Sequence, residues 1–211
     1  MVAVSLAHGK ARITVETEYP QDGVVTVRVD ESPEQPWTLS LRIPAWSRGA
    51  TLEVAGQRHD ATPDDKGYVR VERTWALGDV VRLELPMPVR LTVAHPSVDA
   101  VRGSVAIERG PVTYCLESHD QVSGVDLDHV ELVAGGALRV AAREDLLGGT
   151  LVVEADGLVR DDSGWSGHAG WVTLGEVPTA PGRRVTLTAV PYYLWANRGP
   201  SAMRVWVPLA T

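Results

Sequence analysis

Aliphatic residues recur at every second position along much of the chain. Val25, Val27 and Val29 alternate with Thr26 and Arg28, and Leu39, Leu41 and Ile43 with Ser40 and Arg42. Val81, Leu83 and Leu85 alternate with Arg82 and Glu84, and Val89, Leu91 and Val93 with Arg90 and Thr92. A strand sends successive side chains to opposite faces, so each set predicts a strand with one apolar and one polar face. Burial on one face only is the habit of antiparallel sheets. These segments lack the helical spacing i, i+3, i+4. One helical piece of about two turns is expected from Ala141 to Leu147, ahead of Gly148-Gly149.

Turn residues separate the strands. Tyr19-Pro20-Gln21-Asp22-Gly23 has Pro early and Gly late, the pattern of a type I turn followed by a residue of positive φ. Ala55-Gly56-Gln57, Leu77-Gly78-Asp79 and Arg109-Gly110-Pro111 are similar breaks. Many short strands with turns between them predict an all-β chain of two consecutive antiparallel β-sandwich domains with little helix. The division is expected at Ala94-His95-Pro96-Ser97, giving domains over residues 1–95 and 96–211. Strands resume at Val105 and Val112 and return at Thr150–Glu154, Val185–Val190 and Met203–Val207. Val122 to Ala142 alternates poorly and is expected to contain an insertion or long loop. No internal repeat is visible.

Of the 211 residues, 44% are hydrophobic and 22% charged, which excludes a disordered chain. No apolar run approaches the roughly 20 residues that a membrane-spanning helix needs. A formal charge of −7 favours neither nucleic acid nor an anionic membrane. The first eight residues lack the basic region of a signal peptide, so a cytoplasmic setting is expected. The single cysteine, Cys115, rules out an internal disulfide and a zinc site built from this chain's cysteines. Phe is absent while Trp occurs seven times, so most large aromatics carry an N–H and suit half-buried positions and surface platforms.

The histidines are His8, His59, His95, His119, His129 and His168, and no pair has a metal-binding helical spacing. They are expected in exposed loops; His119-Asp120 is the most suggestive pair but has no companion ligand nearby. Glu108, Glu117, Asp161 and Asp162 are the candidate carboxylates, because paired acids drive glycoside hydrolysis. Asp161-Asp162 sits in a loop composition and is expected to be solvated. In Val112–Glu117, Val112, Tyr114 and Leu116 share one face, leaving Thr113, Cys115 and Glu117 on the other. Cys115 is expected to be a small buried thiol, since no neighbouring base or helix end lowers its pKa. Two aromatic clusters remain, Trp165–Trp171 and Tyr192–Gly199. Trp165, Trp171, Trp195, Asn197 and Arg198 are the candidate contacts, either for a sugar stacked on the rings or for a neighbouring domain.

Several segments taken in order carry a family likeness: Leu41-Arg42-Ile43-Pro44-Ala45-Trp46, Gly67–Trp75, Gly78-Asp79-Val80-Val81 and Leu85–Val89. They are followed by Arg109–Glu117, Pro191–Gly199 and Met203-Arg204-Val205-Trp206. Together they resemble the C-terminal part of glycoside hydrolase family 127, the β-L-arabinofuranosidase family. That resemblance implies a full-length enzyme with an N-terminal (α/α)6 barrel followed by two β-sandwiches, of which this chain matches only the sandwiches. It also implies retaining hydrolysis through a zinc-bound cysteine, with the zinc held by a glutamate and a cysteine cluster in and beside the barrel. None of those motifs is matched here, so no catalytic or metal residue is carried over.

The expected function is therefore that of a non-catalytic accessory region, inactive alone and without a cofactor of its own, with zinc belonging to the barrel of full-length relatives. Its expected partner is the (α/α)6 barrel, in cis or in trans. An independent module that binds arabinose-containing glycans and a scaffold for homo-oligomers are the alternatives.

Overall fold

Each alternating segment of the first 88 residues becomes a strand. The structure, a computed structural model, describes residues 1–146, 148–165, 170–173, 176–177 and 182–210. The chain divides into two units, Met1–Pro88 and Val89–Thr211.

The first unit contains β1 (Val2–Leu6), β2 (Gly9–Thr17), β3 (Val24–Glu31), β4 (Trp37–Arg42), β5 (Thr51–Val54), β6 (Gln57–His59), β7 (Tyr68–Arg73) and β8 (Val80–Glu84). Six of these form an antiparallel sheet in the order β1-β2-β3-β8-β5-β6, and β4 pairs with β7 as a second, two-stranded sheet. Val27, Val29, Leu52, Val54, Val81 and Leu83 from the larger sheet pack with Leu41, Val69 and Val71 from the smaller one. Two apolar faces closing on each other remove both from water, which is the basis of a sandwich. Trp75 completes this core, its ring 5.3 Å from that of Trp37 and its indole N–H donating to the Trp37 carbonyl at 3.0 Å.

Gly23 departs from expectation: its φ is not positive. The turn closes earlier, where the Gln21 N–H donates to the Glu18 carbonyl at 2.8 Å around a cis Tyr19–Pro20 bond. Glycine is needed at 23 for space, since a Cβ there would lie 1.9 Å from the Leu85 carbonyl oxygen. Gly56, Gly78 and Gly110 do take positive φ, at 77°, 88° and 55°.

The second unit contains β9 (Val89–Val93), β10 (Ser104–Arg109), β11 (Val112–Glu117), β12 (Val130–Val133), β13 (Leu138–Arg143), β14 (Thr150–Val159), β15 (Arg183–Pro191), β16 (Met203–Arg204) and β17 (Val207–Ala210). Its sheet runs β16-β11-β15-β14-β12-β17-β10-β9, and β13 pairs with β14. The hairpin pairing of β10 with β11, Glu108 opposite Thr113 and Arg109 opposite Val112, returns the ladder to its start. Among the described residues β12–β17 is the one parallel pair in the molecule. Ile107, Leu116, Leu132, Val153, Leu187 and Val207 fill the interior. Cys115, Leu146, Val152 and Val190 form a second cluster on the opposite faces of β11, β14 and β15.

Three expectations are corrected here. Val122 to Ala142 contains more regular structure than expected: Leu127–His129 forms a 3-10 turn capped by Asp126, and β12 and most of β13 follow. Ala141–Leu147 is not helical, because six residues of β13 pair with β14 and a turn follows at Glu144 and Asp145; Leu147 lies outside the described residues. In β9 the aliphatic face is buried only at its start: Val89 packs against the core of the second unit, whereas Leu91 and Val93 are exposed and Arg90 and Thr92 are half-buried. The cause is Glu108 on β10, which accepts from Arg90 at 3.0 Å and from Thr92 at 2.7 Å. β9 pairs with β10 over five residue pairs and so stands in the second unit. No helix among the described residues is long and apolar enough to cross a membrane.

Candidate functional site at the end of β11

The alternation of β11 places Glu117 on the Cys115 face, and its side chain is 0% exposed. A charged group is buried only when it is paired and hydrogen-bonded. The partner comes from the loop after β15, which passes through a single 3-10 turn at Tyr192–Leu194. Arg198 donates through Nη1 and Nη2 to the two carboxylate oxygens of Asp120, at 2.7 Å each, and through Nη2 to Glu117 Oε2 as well. The Asp120 side chain is 2% exposed and that of Arg198 23%. The fork-on-carboxylate geometry with Asp120 is the strong form of this pairing.

The loop is held at several further points. The Ala196 N–H donates to Glu117 Oε1 at 3.2 Å, with Ala196 itself left-handed at φ 61°. Asn197 Nδ2 donates to the Leu194 carbonyl at 3.0 Å. Ser118 fastens the far end, its N–H donating to the Ala202 carbonyl at 3.0 Å and its hydroxyl lying 3.0 Å from that of Ser201. Gln121 donates to the Glu117 and Thr188 carbonyls, both at 2.9 Å, which ties the strand end to β15. His119 lies at the rim, Nδ1 3.9 Å from Glu117 Oε1.

The cluster sets the charge states around it. Hydrogen bonding to Asp120, then to Glu117, holds the Arg198 guanidinium above its usual pKa despite partial burial. Burial pushes the Cys115 thiol up to about 12; the Glu117 and Asp120 carboxylates act in the same direction and Arg198 opposes them. A thiol held protonated in this way is no nucleophile. Glu117 and Asp120 are 0% and 2% exposed and both are bonded to the Arg198 guanidinium, so neither is open to a glycosidic bond as a paired acid and base would have to be.

The remaining sequence candidates are dispersed. Trp195 and Asn197 lie on the clamped loop, as Tyr192 and Tyr193 do, and the Tyr192 and Trp195 rings are 6.4 Å apart and 24° from parallel. Trp165 ends a separate 3-10 turn, and Trp171 is 89% exposed. His168, between them, lies outside the described residues. Glu108 is engaged by Arg90 and Thr92, Asp161 accepts from the Ser163 N–H, and Asp162 lies 3.2 Å from His129 Nε2. Hydrogen bonds from Ser163 hold the Asp161 carboxyl below its usual pKa. Among the described residues no three His, Cys, Asp or Glu side chains gather as a metal site. A cleft of about 620 Å³ in the first unit includes Arg42, Asp60 and Asp64, which are engaged locally: Asp64 pairs with Arg70 at 2.6 Å, Asp60 accepts from Thr62 and Arg42 donates to the Lys66 carbonyl.

The convergence of Arg198 on Glu117 and Asp120 was not foreseen. Its signal is a carboxylate closing an apolar strand, followed three residues later by a second acid.

The family model for the middle domain of GH127 β-L-arabinofuranosidase matches residues 2–87, and that for the glycoside hydrolase family 127 C-terminal domain matches residues 89–208. A curated non-reducing end β-L-arabinofuranosidase from Bifidobacterium longum subsp. longum is 37% identical over 205 residues, covering 92% of this chain and 30% of its own length. The solved GH127 β-L-arabinofuranosidase of Geobacillus stearothermophilus T6 superposes with a TM-score of 0.86 at 38% identity, over 99% of this chain and 32% of that one. A structure described as a glycoside hydrolase gives 0.88 at 32% identity, over 100% and 34%. The chain thus spans about a third of the length of these relatives.

Proposed function

Because the chain belongs to glycoside hydrolase family 127, through segments that match its middle and C-terminal domains, we propose that it is the non-catalytic β-rich portion of a β-L-arabinofuranosidase-like enzyme. The observation that carries this reading is the pair of matches end to end over residues 2–87 and 89–208, in a chain one third as long as the relatives. The catalytic (α/α)6 barrel is supplied by further polypeptide, in cis or in trans, and the two β units support it. Arabinose-containing glycans are the substrate class of the assembled enzyme, and its compartment is the cytoplasm.

Zinc thiolate chemistry does not fit the residues of this chain. Such a site needs several converging ligands, whereas the sequence has one cysteine, buried and with its pKa pushed up to about 12. Zinc therefore belongs to the barrel in this reading, and no step of hydrolysis is assigned to the β units.

The supporting role is tested in the Bifidobacterium longum relative. Deleting its matching segment is expected to abolish soluble, active enzyme, and inserting the present chain in that place is expected to restore both. Full stability and turnover after the deletion would overturn the reading.

A further inference from the structure

We infer that the first unit holds an open place for one more strand: an extended segment of the polypeptide that completes the enzyme adds to the free edge of β4 and covers an apolar floor formed by β1, β2 and β3. That the donor belongs to the same enzyme rests on the proposed function. The place and the extended form of the occupant rest on the geometry of this unit alone.

The two sheets of the unit are unequal, since six strands are faced by two. Val2 stands opposite Ile13 and Val4 opposite Ala11; across the other side of β2, Ile13 stands opposite Val29 and Val15 opposite Val27. Residues directly opposite one another share a face. The side that carries the core residues Val27 and Val29 therefore continues outward through β2 to β1. Its cover ends sooner: Val27 and Val29 are buried, Ile13 is half-buried, and Val15, Val2 and Val4 are exposed. Between this floor and β4 runs a groove of about 370 Å³, whose lining includes Ile13, Val15, Val25, Leu39, Ser40 and Arg42.

The second observation lies in the main chain. β4 pairs with β7 alone, and the Ile43 N–H continues that ladder by donating to the Gly67 carbonyl at 2.9 Å. Hydrogen-bonded positions alternate along an antiparallel pair. Leu41, Leu39 and Trp37 thus turn their backbone groups to β7, while Arg42, Ser40 and Thr38 turn theirs to the open edge. Among the described residues the N–H and C=O groups of these three meet no partner. The outer edge of β7 differs, because Asp64 closes its start: the Asp64 N–H donates to the Tyr68 carbonyl and Asp64 Oδ1 accepts from the Tyr68 N–H, both at 2.9 Å.

A free edge beside an apolar floor selects an extended chain, whose backbone pairs with β4 while every second side chain points down to the floor. A helix keeps its backbone groups to itself and cannot satisfy the edge. The segment's other side chains are polar, for they stand beside Thr38, Ser40 and Arg42, all exposed. A second copy cannot bring its own β4 here, because that strand is packed on a large sheet that would collide with β1 and β2. The donor is the polypeptide outside this chain, which makes up about two thirds of each relative's length.

The probe is a capped peptide, Lys-Val-Thr-Val-Thr-Val-Lys, titrated into the folded chain and followed by amide chemical shifts and hydrogen exchange. Saturable shifts along β2 and β4 are expected, with exchange at Thr38, Ser40 and Arg42 slowed about tenfold or more. Val15→Lys is expected to weaken binding about tenfold or more by placing a charge on the floor, whereas Glu16→Lys, on the opposite face, leaves it unchanged. Where Val15→Lys fails to fold, Val4→Lys and the exchange map of the unsubstituted chain decide. In the Bifidobacterium longum relative carrying the present chain, the same three amides are expected to be protected without peptide, and added peptide does not bind because the place is filled. No saturable binding, equal losses for the two variants, or protection that rises with the concentration of the chain alone would overturn the inference. An active chimaera whose three amides exchange freely would overturn it as well and leave the accessory role standing. A chimaera that yields no soluble enzyme overturns the accessory role, and the peptide titration then decides the groove by itself.

Discussion

Arg198→Ala is expected to destabilise the second unit by about 3–5 kcal/mol, the cost of removing one partner from a buried ion pair. The cost arises from what is left behind. Glu117 and Asp120, 0% and 2% exposed, would lose the one guanidinium that bonds to both. The Ala196 N–H still reaches Glu117, but a backbone dipole does not replace a charge. Arg198→Lys is expected to recover only part of the loss, because an ammonium cannot make the forked contact with Asp120. Adding Asp120→Asn to Arg198→Ala should cost less than the two changes summed, since residues in one network are not additive. Urea denaturation followed by circular dichroism measures all three. A loss below about 1 kcal/mol for Arg198→Ala is the range of exposed pairs and would show that water reaches the carboxylates.

Trp75→Ala is expected to cost the first unit a similar amount, about 3–5 kcal/mol, through lost burial and the cavity left between the two sheets. Trp75 is almost fully buried, packs on Trp37 and donates to that residue's carbonyl. Trp75→Phe keeps most of the bulk and removes the donor, so it should cost less; its hydrogen-bond part alone is about 1 kcal/mol. Denaturation midpoints of the three proteins give the ranking. Equal stability of Trp75→Ala and the parent would mean that the β4–β7 sheet is not packed through this ring.

The fold was legible where alternation was clean, because a period of two has one structural meaning. β3, β4 and β8 fall where the aliphatics alternate, and Tyr114, Leu116 and Cys115 lie on the two faces that the pattern assigns them. Alternation states only that two faces differ. In β9 the half-buried positions beyond Val89 are Arg90 and Thr92, because Glu108 on the next strand supplies what they need. Ala141-Ala142 favours a helix locally, and pairing with β14 overrides that preference. Gly23 looked like a turn glycine but is set by the approach of Leu85, which is distant in sequence.

The candidate site was legible only in part. Trp195, Asn197 and Arg198 could be picked out as a cluster, but a local motif does not reveal that Arg198 points inward to acids 78 and 81 residues away. A residue that appeared suited to reading a ligand is the one that holds the loop.

The central claim, that these β units lack the machinery for bond cleavage, is tested most directly by assaying the purified chain on an aryl β-L-arabinofuranoside with zinc and a reductant. The account predicts a rate indistinguishable from the protein-free blank. Turnover that disappears in the Cys115→Ser variant would contradict it.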